Sequence, residues 1–279
     1  MRFLYLLASI FFLFTSLGAQ SIQDGLIFYA PFDGSTVNLV EWVKPRNHGA
    51  SFTVDKFGYA NHAISFDGND DYLDYGNLLN IGQRSFSISL WVKVERPGGR
   101  IISKGLTETP RGFSLVTELF NDGGLFNFVT ADENRFYSFE KNQISYSFGE
   151  WQHLVITRAG EAVQLYLNNV LAATELFDGA ALIDVNTPFT IGASLWGNGK
   201  TAEQHFKGAL DEVRVYNRRL TVRDIALLYD QFLDGPQGQG MIKKGIASVS
   251  LEVTTYPNPT SRVLNLQFSS AAPRKLRIL

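Results

Sequence analysis

Residues 85–95, SFSISLWVKVE, alternate without a break. Phe86, Ile88, Leu90, Val92 and Val94 fall on one side, and Ser85, Ser87, Ser89, Trp91 and Lys93 on the other. Period-two alternation marks a strand with one face on a core. Similar runs stand at RIISKG (100–105), GFSLVTE (112–118), LFNFVTA (125–131) and RFYSFE (135–140). More follow at WQHLVITRA (151–159), VQLYLNN (163–169), PFTIGAS (188–194) and LDEVRVYNR (210–218). Turn formers separate them: Pro97-Gly98-Gly99, Asn121-Asp122-Gly123-Gly124, Asn168-Asn169 and Gly197-Asn198-Gly199. Many closely spaced strands without intervening helices predict an antiparallel sandwich rather than a parallel α/β sheet. One helix is predicted in LTVRDIALLYDQFL: Thr221 caps, Asp224 answers it three residues on, and Val222, Ile225, Leu228 or Tyr229, and Phe232 keep helical spacing.

Both ends depart from this pattern. Met1-Arg2 precedes an apolar run from Phe3 to Phe14 and small residues ending at Gly18-Ala19, the order of a secretory signal peptide over residues 1–19. The run is shorter than the ~20 residues of a spanning helix, and no other segment is long and apolar enough. From Asp234 the chain turns Gly- and Gln-rich, reading as a linker over 234–248. Alternation resumes in VSLEVTTYPNPTSRVLNLQF, placing a small β unit at 249–279. Residues 20–233 are left as one large β domain.

Composition narrows the function. The chain has 22 Phe, 11 Tyr and no Cys, so an exported domain of this kind is held by its core and not by disulfides. Residues 20–233 carry 18 basic against 25 acidic side chains, an acidic body with no footprint for nucleic acid. Residues 234–279 reverse the sign, with six basic against two acidic.

Candidate chemistry is sparse. Asp67, Asn69 and Asp71 in AISFDGNDDYLDYG fit the first ligand positions of an EF-hand. The sixth position is Tyr72 instead of Gly and the twelfth Leu78 instead of Glu, so that reading fails. A strand-turn-strand reading accounts for the acids better, with Asp and Asn bonding the turn's own backbone. His48, His62, His153 and His205 show no metal-ligand spacing, and no Gly-x-Ser-x-Gly elbow occurs. For a sugar ligand, Trp196 is the first candidate, in a Gly-rich loop where Asn198, Lys200 and Glu203 supply hydrogen bonds. The other reading folds Trp196 back over the sandwich edge. Trp91, opposite the aliphatic face of its strand and so directed to the concave sheet, is the second. Trp151 reads as core, and nothing discriminates Trp42.

Two resemblances extend this picture. GLIFYAPFDGS, NHAISFDGNDDYLDYG, SFSISLWVKV, EWQHLVITRAGEAVQLYLNNV and FKGALDEVRVYNRRLTVRDIALLYD resemble, in order and spacing, the bacterial laminin-G-like domains of the concanavalin-A-like superfamily. The resemblance covers residues 23–233. It implies an all-β jelly roll of two curved antiparallel sheets, used as a binding module. It also implies a structural calcium, with Asp33 and Asp211 as carboxylates and Asp67 beside the Gly68 carbonyl. Glycosidases of this fold carry Glu-x-Asp on one strand face, and no Glu-x-Asp occurs in the chain. LEVTTYPNPTSRVLNLQF is similar to the C-terminal sorting domain used in type IX secretion, in a form that stops short of the full pattern, which implies a second export step and the secretion machinery as a partner. The expectation is a secreted or surface-displayed, non-catalytic module binding a polysaccharide or glycan. The alternatives are an adhesin binding a protein and a glycosidase with a degenerate motif.

Overall fold

The computed structural model describes residues 21–82, 85–105, 112–120, 123–131, 136–139, 144–177, 185–196 and 201–233, together with 252–253, 265–267 and 275–277. The signal segment and most of the linker and tail lie outside them. Contacts divide the chain into two units, Met1–Asp224 and Ile225–Leu279.

The first unit opens with short strands β1 (Leu26–Ala30), β2 (Arg46–His48), β3 (Ser51–Thr53), β4 (Ala63–Asp67) and β5 (Tyr72–Asp74). Longer ones follow: β6 (Phe86–Arg96), β7 (Arg100–Gly105), β8 (Gly112–Phe120) and β9 (Gly123–Ala131). After the brief β10 (Phe136–Tyr137) and β11 (Ile144–Tyr146) come β12 (Trp151–Ala159), β13 (Ala162–Leu167) and β14 (Val170–Leu176). The last are β15 (Phe189–Ile191), β16 (Ser194–Trp196), β17 (Thr201–Glu203) and β18 (Lys207–Tyr216), and helix α1 (Val222–Leu233) starts at the unit's end. The expected strand at 135–140 is described only over Phe136–Tyr137, and the run at 188–194 splits into β15 and the start of β16.

Two eight-stranded antiparallel sheets result. One runs β14-β13-β12-β6-β18-β4-β3, with β1 also on β18, and the other runs β10-β9-β8-β7-β15-β5-β2, with β11 also on β9. β4 pairs with Lys207–Leu210 and β1 with Val213–Tyr216, so the two lie end to end along β18. Between them β18 bulges, and Glu212 takes a left-handed φ of 53°. The alternating faces predicted from the sequence meet in one core, where Phe86 packs at 6.3 Å from Phe113 and 6.0 Å from Phe128. Each such buried side chain contributes about 1.5–3 kcal/mol, which supplies the stability that a Cys-free chain cannot take from cross-links.

The predicted helix cap is present. Asp224 N donates to Thr221 Oγ1 at 3.1 Å, and Thr221 N donates to Asp224 Oδ2 at 2.9 Å, a reciprocal capping box with Asp in place of Glu. In the second unit, α1 continues from Ile225, and β19 (Glu252–Val253), β20 (Asn265–Gln267) and β21 (Lys275–Arg277) form a three-stranded antiparallel sheet.

Candidate functional site

The Gly98-Gly99 turn between β6 and β7 is tied down through both of its N–H groups and the Gly99 carbonyl. Gly98 N donates to the Thr117 carbonyl at 2.8 Å, and Gly99 N to Thr117 Oγ1 at 3.1 Å. Thr117 N donates back to the Gly99 carbonyl at 2.9 Å. Gly98 has φ 89°, a left-handed conformation that glycine takes without a steric cost. Gly99 is needed for a different reason: a Cβ there would lie 2.5 Å from Phe206 Cα. The segment 204–206 therefore presses directly on the turn.

That close approach places Gln204 over Arg100. Arg100 N donates to the Gln204 carbonyl at 2.9 Å, and Arg100 Nε to Gln204 Oε1 at 2.6 Å. Gln204 has φ 54°, so its backbone is strained into the clamp. Leu115 and Phe128 point into the core, so Val116 and Glu118 on β8 and Val129 on β9 point out of it. These side chains, with Gly98, Gly99, Arg100, Thr117, Leu119 and Gln204, line a half-open cavity of about 390 Å³. Arg100 Nη1 is buried and has no hydrogen-bond partner among the described residues. Burial pulls the guanidinium below its ordinary value and the nearby Glu118 carboxylate acts against this, while an arginine side chain stays cationic in either case. Among the described residues, Glu118 is the one carboxylate of the lining. Its Oε1 accepts from Asn127 Nδ2 at 3.1 Å, and Asn127 Oδ1 in turn accepts from Phe139 N at 3.0 Å.

The residues expected from the sequence lie elsewhere. Trp91 does point away from the core, as its alternation requires, but it is only 2% exposed. Lys56 Nζ sits 4.5 Å above its ring and His153 packs at 5.1 Å, so Trp91 offers no open face to a sugar. Alternation predicts the side of a sheet, not what covers that side. Trp196 ends β16 opposite Thr201, half-buried, with its Nε1 buried and unpartnered among the described residues. It does not line the cavity, although its hairpin leads straight into Gln204. Asn198 and Lys200 lie outside the described residues, and Glu203 is exposed on β17.

The acids of AISFDGNDDYLDYG form a turn. Asp67 Oδ1 accepts from Asn69 N at 2.8 Å and Asp70 N at 3.3 Å, and Asp71 Oδ2 accepts from Asp67 N at 2.9 Å. The backbone bonds that Asn69 and Asp70 donate to Asp67, with that of the Asn69 side chain, hold the Asp67 carboxyl down at about 2. Oxygens of Asp67, Asp70 and Asp71 lie within 4.8 Å of one another. The set Asp33, Asp67 and Asp211, by contrast, does not fit one ion. Lys207 stands opposite Asp67 and Leu210 opposite Ile64, which puts Asp211 four rungs, about 13 Å, from Asp67. Calcium holds its oxygens at about 2.3–2.6 Å, so two of its ligands cannot be that far apart. Asp33 Oδ1 is bound by His62 Nδ1 at 2.7 Å, where the chain leaves β1 and enters β4.

Asp211 belongs to a buried polar cluster at the β18 bulge. Glu212 forms an ion pair with Arg214 and accepts from the Tyr29 hydroxyl at 2.9 Å. Burial works against the Arg214 charge, and Glu212 outweighs it, so its pKa is raised. Burial, with Glu212 beside it, pushes the Asp211 carboxyl well above the carboxylate range. Next to this, burial together with Arg214 and Lys56 holds His153 down at about 3, so it is neutral, and its Nε2 lies 2.9 Å from Ser89 Oγ.

Arg100 and Gln204, the centre of the cavity, escaped the sequence reading. Their signals were an arginine opening a strand after Gly-Gly, and a glutamine just before β18, neither of which is specific alone.

Solved structures share the fold. Domain 4 of AbnA, a GH43 extracellular arabinanase from Geobacillus stearothermophilus, in complex with arabinotriose, is 18% identical. The match covers 72% of this chain and 96% of that one, with a TM-score of 0.56. The binding domain of Paraclostridial Mosquitocidal Protein 1 is 17% identical over 76% of this chain and 53% of that one, with a TM-score of 0.59. The botulinum neurotoxin serotype C1 binding domain is 15% identical over 75% and 52%, with a TM-score of 0.55. The chain thus spans about half the length of the toxin domains. No curated protein sequence matches it. The laminin-G-like family model matches residues 67–226, more than half of the chain, and the two-sheet fold agrees with it: the protein belongs to the concanavalin A-like lectin/glucanases superfamily.

Proposed function

We propose that the jelly roll is a non-catalytic saccharide-binding module that takes its ligand in the Arg100 cavity. The observation that carries this is the buried Arg100 Nη1, a donor with no partner among the described residues, at the edge of a cavity whose walls are held rigid by the Gly98-Gly99-Thr117 bonds. An unmet buried donor costs about 1–3 kcal/mol, and a ligand oxygen recovers it. The cavity's single carboxylate argues against hydrolysis, since glycosidases use a pair about 5–5.5 Å or 6.5–9.5 Å apart. The arabinotriose complex of the AbnA domain supports a saccharide on this fold and suggests the first probe.

Titration calorimetry of the full chain with arabinotriose and other neutral oligosaccharides, on wild type and Arg100→Lys, tests the reading. Binding that the substitution weakens is expected; an absence of any saccharide binding overturns it. Reducing ends released from the bound oligosaccharide would overturn the non-catalytic part.

A protein partner is the second reading. Edge strand β14 exposes Val170, Leu171 and Leu176 and carries no Lys, Arg or Pro to blunt it. The leader at 1–19 and the sorting-type tail at 249–279 support export to the cell surface or medium through the type IX machinery. Among the described residues, no helix is long and apolar enough to cross a membrane. Mass spectrometry of surface-released material checks removal of the leader, and an intact leader on the mature protein would refute export.

A further inference from the structure

The Arg100 cavity holds one guanidinium and one carboxylate, each fixed from behind and each with capacity left over. Gln204 occupies Arg100 Nε and leaves Nη1 buried without an acceptor among the described residues. Asn127, itself locked by Phe139 N, occupies Glu118 Oε1, and the Glu118 side chain is exposed, with a second acceptor oxygen. Arginine only donates, and an ionised glutamate only accepts. A ligand that satisfies both must therefore present an acceptor and a donor side by side, as two neighbouring hydroxyls of a sugar do. A carboxylate presents acceptors alone. It would meet Arg100 but face Glu118 with like charge.

From this geometry we infer that the cavity is selective for uncharged saccharide units, with Arg100 and Glu118 as the donor–acceptor pair that reads a vicinal diol and rejects uronates. The inference rests on the saccharide reading above and names its ligand class. Two further observations agree with it. The guanidinium and carboxylate cancel, so the lining is close to neutral, with Gln204 as its other polar side chain. The surrounding body, residues 20–233, carries an excess of acids, which repels a polyanionic chain approaching it. A volume of about 390 Å³ is at the small end for ligand cavities, which suits one or two sugar units rather than a long stretch of polymer.

The test uses the full chain, with arabinotriose, xylotriose, cellotriose and laminaritriose as neutral probes and trigalacturonate as the acidic one. At least one neutral trisaccharide should bind tenfold or more tightly than trigalacturonate. Its affinity should change less than threefold between 50 and 500 mM NaCl. Glu118→Gln should weaken the neutral ligand about tenfold and narrow the preference, and Arg100→Lys should weaken it at least tenfold. Thermal melting of each variant separates lost binding from lost folding. Tighter binding of trigalacturonate to wild type, made tighter still by Glu118→Gln, overturns the selectivity while leaving the saccharide reading intact. Binding of neither class, or binding indifferent to both substitutions in folded protein, overturns the two together.

Discussion

Gln204 grips Arg100 twice, through its carbonyl at 2.9 Å and its side-chain oxygen at 2.6 Å, and does so from a left-handed backbone conformation. A non-glycine residue held there costs roughly 1–2 kcal/mol. Gln204→Gly removes the strain and the side-chain clamp together, so urea denaturation should show stability within about 0.5 kcal/mol of wild type. The freed guanidinium loses its fixed direction, and saccharide affinity should fall about tenfold. Gln204→Ala keeps the strain and loses the clamp. It should bind as weakly as the glycine variant while being less stable than it, and equal stabilities would show that the conformation is not strained.

The two glycines of the turn should respond in a set order. At Gly99 a Cβ meets backbone, Phe206 Cα at 2.5 Å and the His205 carbonyl at 2.8 Å, which cannot rotate away. At Gly98 a Cβ meets nothing within 4 Å, and only the positive φ resists it. Gly99→Ala should cost about 1–3 kcal/mol by overpacking. Gly98→Ala should cost about 1 kcal/mol. Denaturation midpoints of the two variants measure this directly.

The Glu212–Arg214 ion pair is buried at the β18 bulge, with the Arg214 guanidinium 4.3 Å from the Tyr29 ring and its Nη2 donating to the Tyr29 hydroxyl at 3.1 Å. Arg214→Met strands Glu212 without a countercharge and should destabilise by about 3–5 kcal/mol. Tyr29→Phe removes one hydrogen bond to each partner while leaving the ion pair, for about 1–2 kcal/mol. The double variant Glu212→Gln/Arg214→Met should be more stable than Arg214→Met alone, because no buried charge is left unpaired. A double variant less stable than the single one would show that the cost lies in packing.

The sequence disclosed those features that follow from periodicity and local turn chemistry. The face of β6, the Thr221–Asp224 cap and the Asp67 turn all depend on residues within a few positions of one another, and each is found as expected. Trp91 marks the limit of that legibility. Its outward direction is a local property, whereas the loop carrying Lys56 that covers it is 35 residues upstream. The cavity is less legible still, since Arg100 and Gln204 are 104 residues apart and meet through an isolated bridge beside β7, between Arg100 and His205. Nothing in the periodicity of either segment encodes that meeting. The same holds for the implied calcium ligands: Asp67 and Asp211 belong to strands that do pair, but the register that sets them four rungs apart is visible only in the ladder.

His153 provides a pH signature for the outer face of the β6-bearing sheet. It is held at about 3 in the fold by burial, with Arg214 and Lys56 adding to it, against about 6.5 in the unfolded chain. A depressed histidine binds its proton in the unfolded state first, so its contribution is complete above pH 6.5 and is lost as pH falls from there toward 3. By pH 5 the loss amounts to about 2 kcal/mol. The Asp211 carboxyl acts with the opposite sign, since its raised pKa favours the fold in acid and that advantage is lost as pH rises. Replacing His153 isolates its part, because Asp211 is present in both proteins. Subtracting the stability profile of His153→Gln from that of wild type should leave a curve that is flat above pH 6.5 and falls steadily below it. A difference curve that stays flat down to pH 4.5 would mean that His153 titrates normally, and that the lid of Lys56 over Trp91 admits water to the imidazole.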